Sequence, residues 1–299
     1  MKNILRIALL ALMLLALLVL VPSGAIVAQA EILELPLDAT EGLAPQESGY
    51  LSDWAYEDPS ISVSIETGRY EETNYMVARV KLANATQLRT AMASNYYNPS
   101  TSLGSTIARR CKAVLAINGD FFSSRNGAGL VTRQGKQYRL KCNGNFDVLV
   151  IDDQGDLHIF PAARNQDVEA FSGTIVQGFT FGPGLIIDGV KQTNLVKHTF
   201  AGGQKAAQRM CLAQTGPLEY LCISSEGPED KGSVGLTLDQ FCDLVASFEG
   251  IVNAYNLDGG SSSTMVFRDQ KVNSPNNPKR RPLCDIIYFA SAYQPDAQE

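Results

Sequence analysis

Apolar positions follow three rhythms along this chain. Ile61-Ser62-Val63-Ser64-Ile65 alternates at period two and Tyr75 to Leu82 follows, predicting two half-buried strands. Ala113-Val114-Leu115-Ala116-Ile117 and Gly250-Ile251-Val252-Asn253-Ala254-Tyr255 read as buried strands. Phe241, Leu244, Val245 and Phe248 fall at i, i+3, i+4 and i+7 behind a Thr237/Gln240 capping box, with Gly250 placed to end the helix. A shorter helix is expected from Ser102 to Arg110. Strand pairs are expected at Phe146 to Ile151 with Leu157 to Phe160, Ile175 to Phe179 with Leu185 to Ile187, and Arg209 to Ala213 with Tyr220 to Ser224. Thr264 to Arg268 and Asp285 to Ala290 close the chain. Strands outnumber helices and hairpins are frequent, so the expected fold is α+β, a large mixed, mostly antiparallel sheet with few packed helices.

The N-terminal segment changes this picture by taking itself out of it. Lys2 and Arg6 precede the apolar run Ile7 to Val21 and the small-residue site Ala28-Gln29-Ala30, the pattern of a signal peptide over residues 1–30. Residues 4–21 are also apolar over enough length to remain as a membrane anchor. Both readings export the domain. Residues 31–60 hold eight acidic residues and no basic one, with three prolines, and read as a solvated acidic linker ahead of a domain at 61–293. Beyond residue 30 there are 23 basic against 31 acidic residues, a net charge of −8, which argues against nucleic acid as a partner.

Six cysteines without a Cys-x-x-Cys fit an oxidising compartment rather than a zinc site. Cys211 and Cys222 flank a turn at Thr215-Gly216-Pro217 and are expected to be bonded. Cys111, Cys142, Cys242 and Cys284 leave three pairings open.

Candidate chemistry gathers where two strands end. Asn256-Leu257-Asp258-Gly259-Gly260-Ser261-Ser262-Ser263-Thr264 sets a carboxylate, two glycines and four hydroxyls after one buried strand, and Asn118-Gly119-Asp120-Phe121-Phe122 follows another. Glycines without Cβ let backbone N–H groups approach an anion, so phosphate suits such a turn. Asp258 is the candidate acid, base or nucleophile, and Asp120 could complete a glycosidase pair. Asn118 would orient Asp258 or meet a sugar hydroxyl. Arg209 and Arg133 are candidate phosphate contacts, because guanidinium offers paired donors. Asp258, Asn118 and Asp120 would also serve Ca2+ or Mg2+, though no metal centre is assigned. A serine hydrolase is disfavoured, since His158 and His198 have no Gly-x-Ser-x-Gly elbow to serve.

Together, Ala116 to Phe122 and Asn253 to Met265, about 140 residues apart, resemble the phosphodiester glycosidase family. The resemblance spans roughly residues 60–293 and includes Phe181-Gly182-Pro183-Gly184-Leu185-Ile186, Arg209 and Arg281. The chain departs from the family at Ser261, where a third glycine is usual, and at Asp120, where members vary. The resemblance implies a bacterial, exported hydrolase that cleaves a sugar from a sugar-1-phosphodiester and leaves a phosphomonoester. Asp258, Asn118, Asp120 and Arg209 would then be catalytic, with Gly119, Gly259, Gly260, Ser261, Ser262, Ser263, Arg133 and Arg281 around a phosphorylated carbohydrate. The rival class is a non-catalytic polysaccharide or cell-wall binding module on the same fold.

Overall fold

The period-two segment becomes a long hairpin. Ile61–Tyr70 and Thr73–Leu82 pair from Ile61 against Leu82 to Tyr70 against Thr73. The two residues between them, Glu71 and Glu72, take φ of +40° and +59°, so the turn carries the twist that a right-handed hairpin needs. The structure is a computed structural model and describes residues 30–39, 41–124, 127–275 and 280–296. The leader or anchor expected at residues 1–30 lies outside the described residues but for Ala30. Among the described residues no helix is long and apolar enough to cross a membrane. The chain divides into two units, Met1–Glu31 with Gln294–Glu299, and Ile32–Tyr293. The fold that follows is that of the second.

Ile32–Tyr293 is α+β and dominated by antiparallel sheet. Where one large mixed sheet was expected, the described residues form three sheets of five or more strands, and their pairings are antiparallel. A nine-stranded sheet runs in the order Val190–Lys191, Gly184–Ile187, Asn253–Asn256, Arg209–Gly216, Glu219–Ser225, Thr73–Leu82, Ile61–Tyr70, Ala55–Asp58, Tyr50–Ser52. A five-stranded sheet, which we call the motif sheet, runs Gln270–Lys271, Met265–Phe267, Ala113–Asn118, Asp285–Ala290, Leu88–Met92. The other five-stranded sheet holds Leu157–Phe160, Val148–Asp152, Ile175–Phe179, Gly129–Arg133 and Lys136–Lys141.

The main core lies between the first two. Val63, Ala78, Val80, Leu212 and Tyr255 of the nine-stranded sheet meet Leu115, Ile117, Met265, Ile287 and Phe289 of the motif sheet. The opposite face of the nine-stranded sheet is covered by helix Leu238–Ala246, whose Phe241, Leu244 and Val245 pack on Cys211, Ala213 and Ile223. Its Thr237/Gln240 capping box is formed, and Gly250 at φ +80° follows it. Helix Gly104–Arg110 covers the outer face of the motif sheet through Ile107 and Ala108.

Three expectations are corrected. Ile175–Phe179 and Gly184–Ile187 do not pair; Phe181-Gly182-Pro183 carries the chain from one sheet to another, where Gly184–Ile187 pairs with Asn253–Asn256. The acidic segment at 31–60 is not a solvated linker from Ile32 onward. Leu35 is buried, and Tyr50–Ser52 and Ala55–Asp58 are strands of the nine-stranded sheet. The buried Arg89 guanidinium holds the approach segment by donating to the carbonyls of Leu35, Pro36 and Ala39. Cys211 and Cys222 are free, because the register sets Cys211 opposite Ile223 and Cys222 opposite Leu212. One step of register puts them on opposite faces, Cys211 against the helix and Cys222 in the main core. The other four cysteines are free as well.

Candidate active site

The turn after Asn256 connects sheets before it does any chemistry. Asn253–Asn256 belongs to the nine-stranded sheet and Met265–Phe267 to the motif sheet, so the intervening residues cross the core interface. The neighbouring segment Gln208–Met210 templates that crossing. Leu257 N–H donates to the Met210 carbonyl at 2.8 Å, Gly260 N–H to the Gln208 carbonyl at 2.9 Å, and Ser263 Oγ to the Arg209 carbonyl at 3.1 Å. A Cβ on Gly259 would sit 2.6 Å from the Gln208 oxygen, and Gly260 has φ +58°, so the two glycines answer different demands.

Asn118 ties this crossing to the other motif. Its Nδ2 donates to the Asp258 carbonyl at 2.8 Å and the Gly119 carbonyl at 3.0 Å, while its Oδ1 accepts from Thr264 N–H at 3.0 Å. Both turns therefore open into one narrow crevice, about 210 Å³ counted with the open solvent at its mouth, lined by Asn118, Gly119, Asp258, Ser262, Arg281 and Asp285 among others. Asp258 is partly exposed there. The Arg281 guanidinium carbon lies 4.8 Å from the centre of the Phe121 ring, which also faces the crevice.

Asp120 lies beneath, fully buried, with Oδ1 accepting from Arg133 Nη2 at 2.8 Å and Oδ2 from Thr180 N–H at 2.8 Å. Arg133 in turn donates from Nε and Nη2 to Asp285 Oδ2 at 3.0 and 2.7 Å, and its Nη1 donates to the Thr132 and Gly178 carbonyls. Its guanidinium stacks 4.1 Å over Phe179. Every N–H of Arg133 is thus spoken for. Burial works against its charge, but the carboxylates of Asp120 and Asp285 outweigh it and raise its pKa. One cation faces two acids, and burial raises Asp285 to about 6 against the attraction of Arg133, with Asp120 adding to the rise.

Asp285 is the crevice residue that motif reading missed. It opens the strand Asp285–Ala290 with no glycine beside it in sequence. Its signal was Gly119, where an added Cβ would fall 2.3 Å from Asp285 Oδ1. The missing side chain at Gly119 is the space the carboxylate fills.

Arg209 stands apart from the crevice lining. Nε donates to the Leu236 carbonyl at 3.0 Å, Nη1 to Ala201 at 2.9 Å, and Nη2 to Gly202 and Lys205 at 2.9 and 2.6 Å. Desolvation lowers its pKa to about 10. Ser263 is buried beneath the turn, and Ser261 is exposed beyond it. Asp258, Asn118 and Asp120 do not offer a common set of cation ligands, since both Asp120 oxygens and the Asn118 oxygen are already hydrogen-bonded. Among the described residues no group of three His, Cys, Asp or Glu side chains gathers to hold a metal ion.

The family model described as phosphodiester glycosidase matches residues 111–290, a span that contains both motifs. A prophage-derived uncharacterized protein of Bacillus subtilis, YomE, is 26% identical over 189 residues, covering 61% of this chain. The match spans 28% of that longer protein. Among solved structures, the catalytic domain of zebrafish N-acetylglucosamine-1-phosphodiester alpha-N-acetylglucosaminidase, auto-inhibited by its pro-peptide, superposes with a TM-score of 0.64 at 15% identity, covering 88% of each chain. A hypothetical protein from Synechocystis gives a TM-score of 0.52 at 18% identity over 77% of this chain and 62% of the other. These two likenesses are likenesses of fold.

Proposed function

The chain belongs to the phosphodiester glycosidase family, and from that premise we propose that it hydrolyses a sugar-1-phosphodiester with Asp258 as the main catalytic carboxylate. The placement of Asp258 carries this reading. Its backbone is fixed by Asn118, its side chain lines a crevice with Arg281 and Ser262, and Asp120 is committed to a buried ion triad. In the reaction the bond between the anomeric carbon and the phosphate oxygen breaks, its electron pair leaving with the phosphate. Water supplies the new oxygen on the sugar. Asp258 either takes the proton of that water or attacks the anomeric carbon first, and both routes yield sugar plus phosphomonoester. The departing phosphate is already a stabilised anion, so one well-placed carboxylate can suffice.

Arg281 and the Ser262 hydroxyl are the phosphate contacts in this scheme, beside the glycine turns. Asp285, not Asp120, is the second carboxylate of the crevice. Arg209 contributes positive charge, with four of its five N–H groups already given to carbonyls. The substrate belongs to an envelope polymer, glycolipid or scavenged glycan met after export through residues 1–30. The linkage named in the zebrafish enzyme supports this choice of bond.

The commitment of Arg209 to backbone carbonyls favours one second reading, a polysaccharide or cell-wall binding module without turnover. Purified residues 31–299, assayed on a panel of sugar-1-phosphodiesters with and without chelator, separate the two. Turnover by the parent and a loss of roughly 100-fold or more in Asp258→Asn, with melting unchanged, support catalysis at Asp258. Retained turnover in that variant would remove Asp258 from the catalytic role. Binding without turnover by the parent would install the second reading.

A further inference from the structure

The crevice has room for a phosphate but not for the sugar joined to it. It measures about 210 Å³ even with the open solvent at its mouth counted, and sites for small molecules run from roughly 300 Å³ upward. With the phosphate against Arg281 and Ser262, the anomeric carbon comes to Asp258 and the ring has to be held outside the crevice. A second pocket, about 480 Å³ on the same count, is walled by Phe146, Phe181 and Phe200.

Three ties set this pocket beside the Asp258 turn. Gly182 and Pro183 of its wall are bound to Asn256, two residues ahead of Asp258: Gly182 N–H donates to the Asn256 carbonyl at 3.2 Å, Asn256 N–H to the Pro183 carbonyl at 3.1 Å, and Asn256 Nδ2 to the Gly182 carbonyl at 2.8 Å. Thr180 N–H donates to Asp120 Oδ2 at 2.8 Å, so Phe181 of the pocket and Phe121 of the crevice each adjoin one partner of that bond. On the remaining side the Ala201 carbonyl accepts from Arg209 Nη1, and the Arg209 carbonyl accepts from Ser263 Oγ of the turn.

The chemistry of the wall suits a pyranose. Phe200 packs edge-on with Phe146 and Phe181, ring centres 5.3 and 5.9 Å apart, and is still 53% exposed. Apolar ring surface left open in this way receives the C–H face of a sugar. Asp147 stands on the same wall with its carboxylate oriented by two backbone donors, Ala162 N–H on Oδ1 at 2.8 Å and Gly184 N–H on Oδ2 at 2.9 Å. Each oxygen keeps lone-pair capacity for a sugar hydroxyl.

We propose that the pocket of Phe146, Phe181 and Phe200 is the subsite for the sugar that hydrolysis releases, and that Phe200 and Asp147 set which sugar is accepted. This rests on the reaction proposed at Asp258, and the test reads binding rather than turnover so that the two stand or fall apart. Calorimetric titration of the Asp258→Asn protein with the α-1-phosphates of glucose, galactose, mannose and N-acetylglucosamine should show at least one bound more tightly than inorganic phosphate. Adding Phe200→Ala, which removes an exposed ring, should weaken that sugar phosphate by about tenfold and leave inorganic phosphate unchanged. Phe146→Leu should act in the same way and covers the case in which the first variant melts early. Arg281→Ala, in the crevice, should weaken sugar phosphate and inorganic phosphate together. Sugar phosphates bound no better than phosphate, or bound equally with and without the ring substitutions in proteins that melt alike, would overturn the subsite and leave the hydrolysis to its own assay. Ring-dependent binding in a protein whose parent turns over no sugar-1-phosphodiester would keep the subsite and remove the hydrolysis.

Discussion

Asp285 shares the guanidinium of Arg133 with Asp120, and that shortage of positive charge sets a pH dependence. Unfolded, Asp285 titrates near 3.8; folded, near 6 because burial disfavours its charge. The native state therefore binds the proton more tightly. This contribution to stability is full below about pH 3.8 and is lost as pH rises through 6. Asp285→Asn should flatten that fall, so the difference in urea-unfolding free energy between pH 4 and pH 7 should shrink in the variant. An unchanged difference would trace the fall to other groups. Motif reading reached Asn118 and Asp258 because glycines at a strand end mark a backbone that must be open to something. It could not reach Asp285, whose neighbours in sequence are apolar, nor foresee that Arg133 would be enclosed by two carboxylates instead of facing solvent. Pairings across 152 residues leave no local trace.

Arg89 does the equivalent work between elements. On the strand Leu88–Met92 it is completely buried, yet it meets carbonyls rather than a carboxylate, those of Leu35, Pro36, Ala39 and Thr86, with the Tyr288 hydroxyl at 3.2 Å. Arg89→Met keeps the length and loses the donors. The Leu35 carbonyl is buried while those of Pro36, Ala39 and Thr86 are within reach of water, and a buried carbonyl left without a partner costs about 1–3 kcal/mol, so a loss of about that size is expected in chemical denaturation. Proteolysis should also begin within residues 33–39 of the variant. A melting curve within error of the parent would show that the segment is held by its apolar contacts alone. Elements with their own local code were readable: the capped helix from Thr237, the Ala113–Asn118 strand, and the two strands that begin at Ile61 and run on to Leu82, though not the turn at Glu71-Glu72 that joins them. The acidic approach was misread because its composition is that of a solvated tail, while its anchorage comes from one arginine far along the chain.

At the scale of the whole molecule, that anchorage moves the domain boundary. A chain beginning at Ile61 would lose Leu35 from the core and two strands from the edge of the nine-stranded sheet, baring Ile61–Tyr70 as a new edge. It should express as aggregate or melt well below a chain beginning at Ala30, by differential scanning calorimetry. Equal melting temperatures would restore the linker reading. Fold class was within reach of the strand count, but the division into stacked sheets was not, since sheet membership of Gly184–Ile187 depends on a partner found some 70 residues later. The stacking has its own consequence at the crossing from Asn256 to Met265. A segment stretched between two sheets is a strain gauge: whatever lets the sheets slide, a softened core or a ligand wedged beneath an edge, is registered first where Asn118 grips Asp258. If the hydrolysis proposed at Asp258 is right, heating should abolish it at a lower temperature than it abolishes the far-ultraviolet circular dichroism of the strands.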